Sequence, residues 1–392
     1  MSLKREEIGA LSLELHAKLK GKLETTSKCP VDNEDALALA YTPGVAQPCL
    51  EIKDHPDDVY KYTIKGNTCA VVSDGSAVLG LGNIGAAAAI PVMEGKCVLF
   101  KEFAGVDAFP ICLETQDVDE IVETVKRIAP VFGGINLEDI SAPRCFEVEE
   151  RLKKELDIPV FHDDQHGTAV IVTAGLMNAC KVTGKKFSDL RVAINGVGAA
   201  GTAIAKMILN FGVKEMFLVD RTGILCDGGN QGRNFSHAAM SKVTNFEHRE
   251  GGLDEALEGT DVFIGVSSAN ILTAERIKKM APDPIVFALA NPNPEIDPAI
   301  AHETGVAVIG TGRSDYPNQV NNVLAFPGIF RGAFDVRASE INEAMKMAAS
   351  KALAALVPDE ELSAEYILPK PFDERVCPAV AKAVAEAYKA TH

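Results

Sequence analysis

Two acidic clusters in the sequence carry residue types that can bind a divalent metal ion. Glu138 and Asp139 follow one predicted strand, and residues 162–166 (HDDQH) follow another. Ligands of α/β sheets gather at the carboxyl ends of strands, so we expect these carboxylates to converge there. Carboxylate oxygens are the ligands that Mg²⁺ and Mn²⁺ prefer. The alternative interpretation is that the acidic pairs cap helices or lie in solvated turns.

The histidines of the same segment suggest a different class of enzyme. His162 and His166 have the i, i+4 spacing of the zinc-binding helix of metalloproteases. That helix needs a glutamate at the second position to reach a zinc-bound water, whereas Asp163 is one carbon shorter. The preceding residues 158–161 also read as a strand. A zinc metallohydrolase is therefore the weaker alternative.

A glycine-rich segment predicts a dinucleotide site. Residues 196–201 (GVGAAG) follow an apolar strand and begin an apolar helix. Such glycines permit a tight turn, a close approach of the backbone to a pyrophosphate, and tight packing of the helix on the strand, while the N–H groups of the helix N-terminus face the phosphates. The expected cofactor-binding residues here are Gly196, Gly198, Ala199, Ala200 and Gly201.

The next predicted strand ends in an acid that bears on the choice of cofactor. Asp220 follows residues 216–219 (MFLV), at the place where a carboxylate can bond the adenosine ribose hydroxyls. This favours NAD over NADP. Because Arg221 comes next and an arginine here can accept a 2′-phosphate, NADP stays open as the alternative.

The elements around these motifs predict an α/β chain with parallel sheet. Predicted helices cover residues 4–20, 168–180 and 201–211, and predicted strands cover 68–72, 97–100, 134–137, 191–195, 216–220, 261–266, 285–290 and 306–309. We place domains at 1–161 and 162–330. Residues 331–392 read as helices alone, for which we consider packing against the first domain.

Composition excludes several functional classes. The chain has 392 residues, 47% of them hydrophobic, and a net charge of −16, which argues against nucleic-acid binding. No apolar run reaches the roughly 20 residues of a bilayer span, and the polar start predicts a cytoplasmic protein without membrane contact. The 9 cysteines form no C-x-x-C pair, so a disulfide framework is not expected. An anionic substrate would need a local positive field from a metal ion, lysines or helix N-termini.

Longer segments, in order along the chain, are more specific than any single motif. They are YTPGVA at 41–46, SDGSAVLGLGNIG at 73–85, PVMEGK at 91–96, LEDI at 137–140, HDDQHGTA at 162–169, ALANPNPE at 288–295 and NNVLAFPGIFRGA at 321–333. Together with GVGAAG, they resemble the malic enzymes, specifically the short bacterial-type form, over almost the whole chain. The resemblance implies an N-terminal α/β malic domain, a Rossmann-type doubly wound NAD(P)-binding domain and C-terminal helices.

The same resemblance implies an activity and roles for individual residues. The activity is metal-dependent oxidative decarboxylation of L-malate to pyruvate through oxaloacetate, with NAD or NADP. The implied catalytic residues are the acid Tyr41, the base Lys96 and its partner Asp163. The implied ligands of Mg²⁺ or Mn²⁺ are Glu138, Asp139 and Asp164. Asn291 and Asn321 or Asn322 look like the asparagines that bind the substrate carboxylate and the nicotinamide.

Two further expectations concern the site. We expect burial and the nearby cation to lower the pKa of Lys96, as a base requires. Long-chain malic enzymes carry a substrate-binding arginine where this chain has Ala77, so the residues that hold the substrate carboxylate are left open. The loop at 73–76 and the backbone amides of 80–85 are candidates.

Alternative functions remain at this stage. The same residues can support a malolactic enzyme that retains NAD and yields lactate. An amino-acid dehydrogenase has no use for the carboxylate cluster, and a non-catalytic dinucleotide sensor has no use for Tyr41 or Lys96. A homodimer follows from the resemblance and from the base rate for soluble enzymes, and it stays open whether Tyr41 and Lys96 serve their own subunit's site or a neighbour's.

Overall fold

Two β-sheets organise the chain, and helices cover both. The structure is a computed structural model that describes residues 5–78, 80–229 and 234–392, so Lys4 of the predicted first helix and Leu79 of the 73–85 segment lie outside the described residues. The helices are α1 Arg5–Leu19, α2 Glu34–Ala40, α3 Ala46–Asp54, α4 Val59–Tyr62, α5 Ala86–Ala104, α6 Val118–Ile128, α7 Arg144–Glu155, α8 Asp163–Thr183, α9 Ala199–Asn210, α10 Phe235–Met240, α11 Leu253–Ala256, α12 Ala274–Ile277, α13 Pro298–Glu303, α14 Phe326–Asp335, α15 Glu343–Ala355 and α16 Val376–Thr391. The strands are β1 Thr68–Ser73, β2 Asp107–Cys112, β3 Gly134–Leu137, β4 Val160–His162, β5 Arg191–Asn195, β6 Glu215–Asp220, β7 Gly223–Ile224, β8 Val262–Gly265, β9 Ile285–Ala288 and β10 Val308–Thr311. This mixed α/β architecture confirms the predicted fold class.

The first sheet has the order β2-β1-β3-β4, and all its strands are parallel. The sequence analysis missed the edge strand β2, which contains Pro110. Leu113 N donates to Ser73 O of β1 at 2.8 Å, and N–H groups alternate along a strand, so position 110 faces away from β1. A proline fits an edge strand at such a position because no ladder bond is lost.

The strand predicted at residues 97–100 is wrong, because these residues lie inside α5. The buried side chains of this helix include Met93, Cys97 and Phe100, which have helical spacing and face the core. A short apolar run does not by itself distinguish a buried strand from the buried face of a helix. The error matters because α5 carries Lys96.

The second sheet has the order β10-β9-β8-β5-β6-β7, parallel except for the antiparallel pair β6 and β7. Its strand β5 lies between β8 and β6, so the chain direction across the sheet reverses at β5. The crevice at such a reversal is where open α/β sheets bind ligands. The glycine segment follows β5 and therefore lies at this crevice.

The long helix α8 and the C-terminal helices join the two sheets. Helix α8 begins at Asp163, five residues before the predicted start, and Ser350 Oγ of α15 donates to its Val170 O at 2.9 Å. Helix α14 packs on α5, where the ring of Phe100 lies 4.7 Å from that of Phe326. Both sheets thus share one continuous apolar core.

The first part of the chain is packed differently. From residue 7 to residue 64, which we call the N-terminal arm, no side chain is buried. In the described ranges, no helix is long and apolar enough to cross a membrane.

Candidate active site

Neighbouring strands bring the predicted carboxylates to one edge of the first sheet. Strand β3 pairs with β4, with Leu137 opposite His162, so the residues that follow each strand emerge side by side. Glu138, Asp139 and Asp164 each place one ligand atom within 4.8 Å of the others. The sheet topology therefore produces the convergence that the sequence predicted.

Local hydrogen bonds hold this acidic cluster. Asp139 has a positive φ of 54°, and its backbone N–H donates to Asp164 Oδ2 at 2.8 Å. Asn136 Nδ2 donates to Glu138 Oε2 at 2.9 Å. The sequence analysis missed Asn136, although a polar side chain in a fully buried strand is itself a signal, because a buried amide must find a partner.

The electrostatics of the cluster fit a hard dication. Burial and nearby carboxylates raise the pKa of Glu138, although Lys96 opposes the rise. Burial, together with the charge of Asp139, also raises the pKa of Asp164. Buried carboxylates repel one another, and a cation between them stabilises their charged forms. Three oxygen donors suit Mg²⁺ or Mn²⁺.

Lys96 of α5 joins the cluster from the opposite side. Its Nζ lies 2.6 Å from Asp163 Oδ2 and 2.9 Å from Glu138 Oε1, and its side chain is 11% exposed. Burial alone would lower the pKa of this ammonium, but the two carboxylates outweigh burial and raise it. The direction of this shift is opposite to the expected lowering.

Asp163 is held in place by groups from distant parts of the chain. Besides Lys96, its Oδ2 accepts a bond of 3.1 Å from Asn322 Nδ2. A Cβ added to Gly167 would lie 1.8 Å from Asp163 Oδ1, so glycine is required one turn along α8. Gly167 belongs to the HDDQHGTA segment, but its sequence position alone does not predict this contact.

The two histidines of HDDQH do not form a zinc site. Burial lowers the pKa of His162 to about 4 and that of His166 to about 4. His166 Nε2 lies 2.8 Å from Glu149 Oε1, and its Nδ1 lies 3.1 Å from Lys346 Nζ, so both nitrogens are engaged. Within residues 5–78, 80–229 and 234–392, only one group of three or more His, Cys, Asp or Glu side chains could hold a metal ion together. It consists of Glu138, Asp139 and Asp164.

The predicted asparagines have different surroundings. Asn322 contacts Asp163, as described, whereas Asn321 Oδ1 accepts from Val323 N at 3.0 Å and begins a short 3-10 turn. Asn291 is exposed, and a Cβ on Gly80 would lie 2.6 Å from its carbonyl oxygen. The glycine-rich loop of the first domain thus closely approaches Asn291 of the second.

The loop around Ala77 is tied to the acidic cluster. Ala77 N donates to Asp139 O at 3.0 Å, and Ser76 Oγ accepts from Ser141 N at 2.9 Å. Arg144 Nη2 lies 3.2 Å from Asp74 Oδ2, so the nearby guanidinium is paired to a carboxylate. Among the contacts of this loop within the described residues, no unpaired arginine replaces the substrate-binding arginine that long-chain malic enzymes carry at the position of Ala77.

Tyr41 is not brought to the cluster in this chain. It follows α2, its side chain is 68% exposed, and its hydroxyl makes no hydrogen bond with any residue in the described ranges. Lys96 and Asp163, its expected partners in catalysis, are buried or nearly so.

The glycine segment has the geometry of a dinucleotide loop. Gly196 has φ of 109°, and a Cβ on Gly201 would lie 1.8 Å from Gly196 O. Gly198 caps α9 and has open space around its Cβ position. Ala199 and Ala200 form the first turn of α9, where N–H groups are free to meet a phosphate.

Asp220 ends β6, beside this loop. Its Oδ1 accepts from Thr222 N at 2.7 Å and from Thr222 Oγ1 at 2.6 Å. His237 Nε2 lies 2.9 Å from Val197 O, and its Nδ1 lies 3.6 Å from Asp220 Oδ2, so His237 connects the acid to the glycine loop. No motif predicts His237 at this place, because it lies 17 residues after Asp220 in the sequence. Arg221 is exposed.

Family models match both halves of the chain. Residues 20–153 match "Malic enzyme, N-terminal domain", and residues 165–389 match "Malic enzyme, NAD binding domain".

Individual relatives agree with these models. A bifunctional malic/malolactic enzyme of Bacillus subtilis is 59% identical over 387 residues, which cover 99% of this chain and 93% of that enzyme. An NADP-dependent malic enzyme of Escherichia coli is 49% identical over 95% of this chain and 51% of that enzyme. The crystal structure of an NAD-dependent malic enzyme from Thermotoga maritima superimposes with a TM-score of 0.93 at 51% identity, covering 95% of this chain and 98% of that one.

Proposed function

Because the chain belongs to the malic enzyme family, an NAD(P)-linked oxidoreductase family, we propose that it oxidises L-malate and decarboxylates the product to pyruvate and CO₂ with a divalent metal ion. The observation that carries the proposal is the position of Lys96 Nζ, 2.6 Å from Asp163 and 2.9 Å from Glu138 of the three-carboxylate cluster. A base beside a metal site is what oxidation of a 2-hydroxy acid requires.

Glu138, Asp139 and Asp164 would hold the cation, and the loop at 196–201 would hold the dinucleotide. When bound, the cation acidifies the malate hydroxyl and stabilises negative charge, and the nicotinamide accepts the hydride from C2. In its neutral amine form, Lys96 would take the proton of the C2 hydroxyl as C2 becomes a carbonyl. Asp163 orients Lys96 Nζ, and Asn322 and Gly167 in turn fix Asp163.

The second step breaks the bond between C3 and the C4 carboxylate of oxaloacetate. CO₂ leaves, and the bonding electron pair passes to C3 and the C2 oxygen as an enolate. Tyr41 then donates its hydroxyl proton to C3, which gives pyruvate. This assignment of Tyr41 rests on the family resemblance of YTPGVA at 41–46.

NAD is the proposed cofactor, in preference to NADP. Asp220 lies at the end of β6 with His237 beside it, and a carboxylate there would repel a 2′-phosphate. A homodimer is the proposed assembly, in keeping with the symmetry of most soluble oligomers.

A malolactic activity is the second candidate. The Bacillus subtilis relative is named for both malic and malolactic activity and is 59% identical to this chain. The same Lys96 and carboxylate cluster can serve both reactions when NADH stays bound and reduces pyruvate to lactate.

One experiment tests both candidates. Purified protein is given L-malate with NAD or NADP, with and without Mn²⁺, and reduced cofactor, pyruvate and lactate are measured. We expect Mn²⁺-dependent NADH and pyruvate in equal amounts. Lactate without net NADH would replace the malic with the malolactic reaction, and no product with either cofactor would refute both.

A further inference from the structure

The N-terminal arm exposes a continuous apolar stripe. Ile8, Leu11, Leu15 and Leu19 follow the i, i+3, i+7, i+11 spacing of one helical face of α1, and each is 46–51% exposed. Outside this stripe the arm also exposes Leu13, Val31, Leu37, Leu39, Tyr41 and Leu50. An exposed apolar stripe such as that of α1 is typical of an interaction site, because apolar surface is stabilised when it leaves water.

The arm is fastened at two points and is otherwise separate from its own chain. Lys22 N donates to Glu94 Oε2 of α5 at 3.0 Å, and Arg337 Nη2 donates to Asp57 Oδ1 at 2.9 Å. Between these points, residues 23–56 make one ion pair with the rest of the described chain, 3.8 Å between Lys28 and Asp107, and no hydrogen bond. Tyr41 lies within this free stretch.

A groove of about 1040 Å³ lies along α5, the helix that carries Lys96, and is open in the single chain. The residues that line it include Leu99 and Phe103 of α5, which lie on the same helical face as Lys96. Leu324, two residues after Asn322, also lines it. Phe372 on its wall is 84% exposed. An apolar segment that fills this groove would therefore contact the face of α5 that carries Lys96.

The charges of the groove and of the C-terminal end of α1 are opposite in sign. Charged residues of the groove are Glu102, Asp335, Asp373 and Glu374 against Arg331 and Lys382, an acidic balance. Lys18 in the last turn of α1 and Lys20 just after it are exposed and have no carboxylate partner in the described ranges. Opposite charges of this kind favour encounter and fix the orientation of a partner.

We propose that the arm of a second copy of this chain occupies the groove and places its Tyr41 at the site built around Lys96. The inference rests on the proposed function, since it concerns the proton donor of the second step. Each active site then combines Lys96, Asp163 and the carboxylate cluster of one copy with Tyr41 of the other. The site is incomplete in a single chain, which accounts for a catalytic tyrosine that is 68% exposed.

A defined heterodimer tests this arrangement. A Tyr41→Phe chain and a Lys96→Ala chain carry different affinity tags, are co-expressed, and are purified through both tags. If Tyr41 acts across the interface, one site receives both substitutions and the other receives neither. Conversion of malate to pyruvate should then recover to about half of the wild-type rate per dimer, because one of two sites is intact.

If Tyr41 acts within its own chain, each site of this heterodimer carries one substitution. Pyruvate formation would then stay at the level of the two parent homodimers, and the inference would be overturned. A heterodimer of Lys96→Ala with the double variant Tyr41→Phe, Lys96→Ala is the control and should stay inactive. Wild-type protein that fails to oxidise malate would instead refute the proposed function.

A second measurement tests the groove itself. Phe372→Asp changes a side chain that is 84% exposed in the single chain, so folding should be kept. We expect light scattering to show a shift from dimer to monomer and pyruvate formation to fall with it. Phe246→Asp, at another exposed phenylalanine (63%), is the matched control and should remain dimeric. A Phe372→Asp protein that is as dimeric and active as the control, or a monomeric wild type, would overturn the proposal.

Discussion

The carboxylate cluster and the N-terminal arm contribute to the same proposed reaction but are built by opposite means. In the cluster, Lys96 and Asp163 are held by side chains from α5, α8 and the turn at Asn322, and Asp163 is fully buried. In the arm, no side chain from residue 7 to 64 is buried, and Tyr41 makes no side-chain hydrogen bond within the described ranges. The groups proposed to oxidise malate are thus positioned by one folded chain, whereas Tyr41, the proposed proton donor to the enolate, is not.

Removing the lysine tests the buried side of this contrast and should have the largest effect. Lys96→Ala removes the proposed base. It also removes the Nζ group that pairs with both Asp163 and Glu138. We expect malate oxidation to fall about 10³-fold, within the range for a lost general base. Steady-state NADH formation measures the loss. Lys101→Ala, which removes an exposed lysine from the same helix, should retain the wild-type rate.

Changing the tyrosine should separate the two steps of the reaction. Tyr41→Phe removes the proton donor and leaves the cluster intact, so pyruvate formation should fall about 10²-fold. Reduction of added oxaloacetate should remain near wild type. Tyr62→Phe, at another exposed tyrosine of the arm, is the control. Near-normal pyruvate formation by Tyr41→Phe would mean that another group is the acid.

Crowding the buried site should have an intermediate effect. A Cβ at Gly167 would lie 1.8 Å from Asp163 Oδ1, so Gly167→Ala must displace that carboxylate or the helix. We expect a loss of about 2 kcal/mol in the free energy of unfolding, typical of overpacking. Gly9→Ala in α1 meets nothing within 4 Å and should be neutral or slightly stabilising. Denaturant titration compares the two variants, and equal midpoints would show that α8 accommodates the methyl group.

The smallest effect is expected for an apolar residue of the arm. Leu13 is 76% exposed, whereas Leu137 is fully buried beneath the cluster. At dilutions that dissociate the proposed dimer, Leu13→Ala should change the free energy of unfolding by less than about 0.5 kcal/mol, and Leu137→Ala should cost about 2–5 kcal/mol. Thermal unfolding as a function of protein concentration measures both. A large loss for Leu13→Ala in the monomer would show that the arm packs within its own chain.

The sequence predicted the central strands well because their apolar runs are bounded by turns. Strands Gly134–Leu137 and Arg191–Asn195 have the predicted bounds, and the carboxylates that follow β3 and β4 meet as expected. Residues 97–100 were mistaken for a strand because their burial on one face of α5 has no local signature. Strand β2 was missed because it contains Pro110. A strand accepts a proline at the edge of a sheet, and the sequence does not show that β2 lies at an edge.

The packing around Asp163 shows a different limit. Gly167 and Asn322 fix this carboxylate, yet they come from α8 and from a turn far along the chain. Only the tertiary structure shows that the methyl group of an alanine at 167 would strike the carboxylate. The pKa of Lys96 likewise depends on Asp163 and Glu138, which no spacing rule places beside it, and its shift is opposite to the expected one.

Pro110 also limits how copies of this chain can associate. Edge strands ordinarily offer a row of free N–H and C=O groups that another strand can extend, and such edge-to-edge growth leads to aggregation. At position 110 the outward donor is missing, so the row on β2 is interrupted halfway along the strand. Continuation of the first sheet from one molecule into the next is therefore disfavoured on this side.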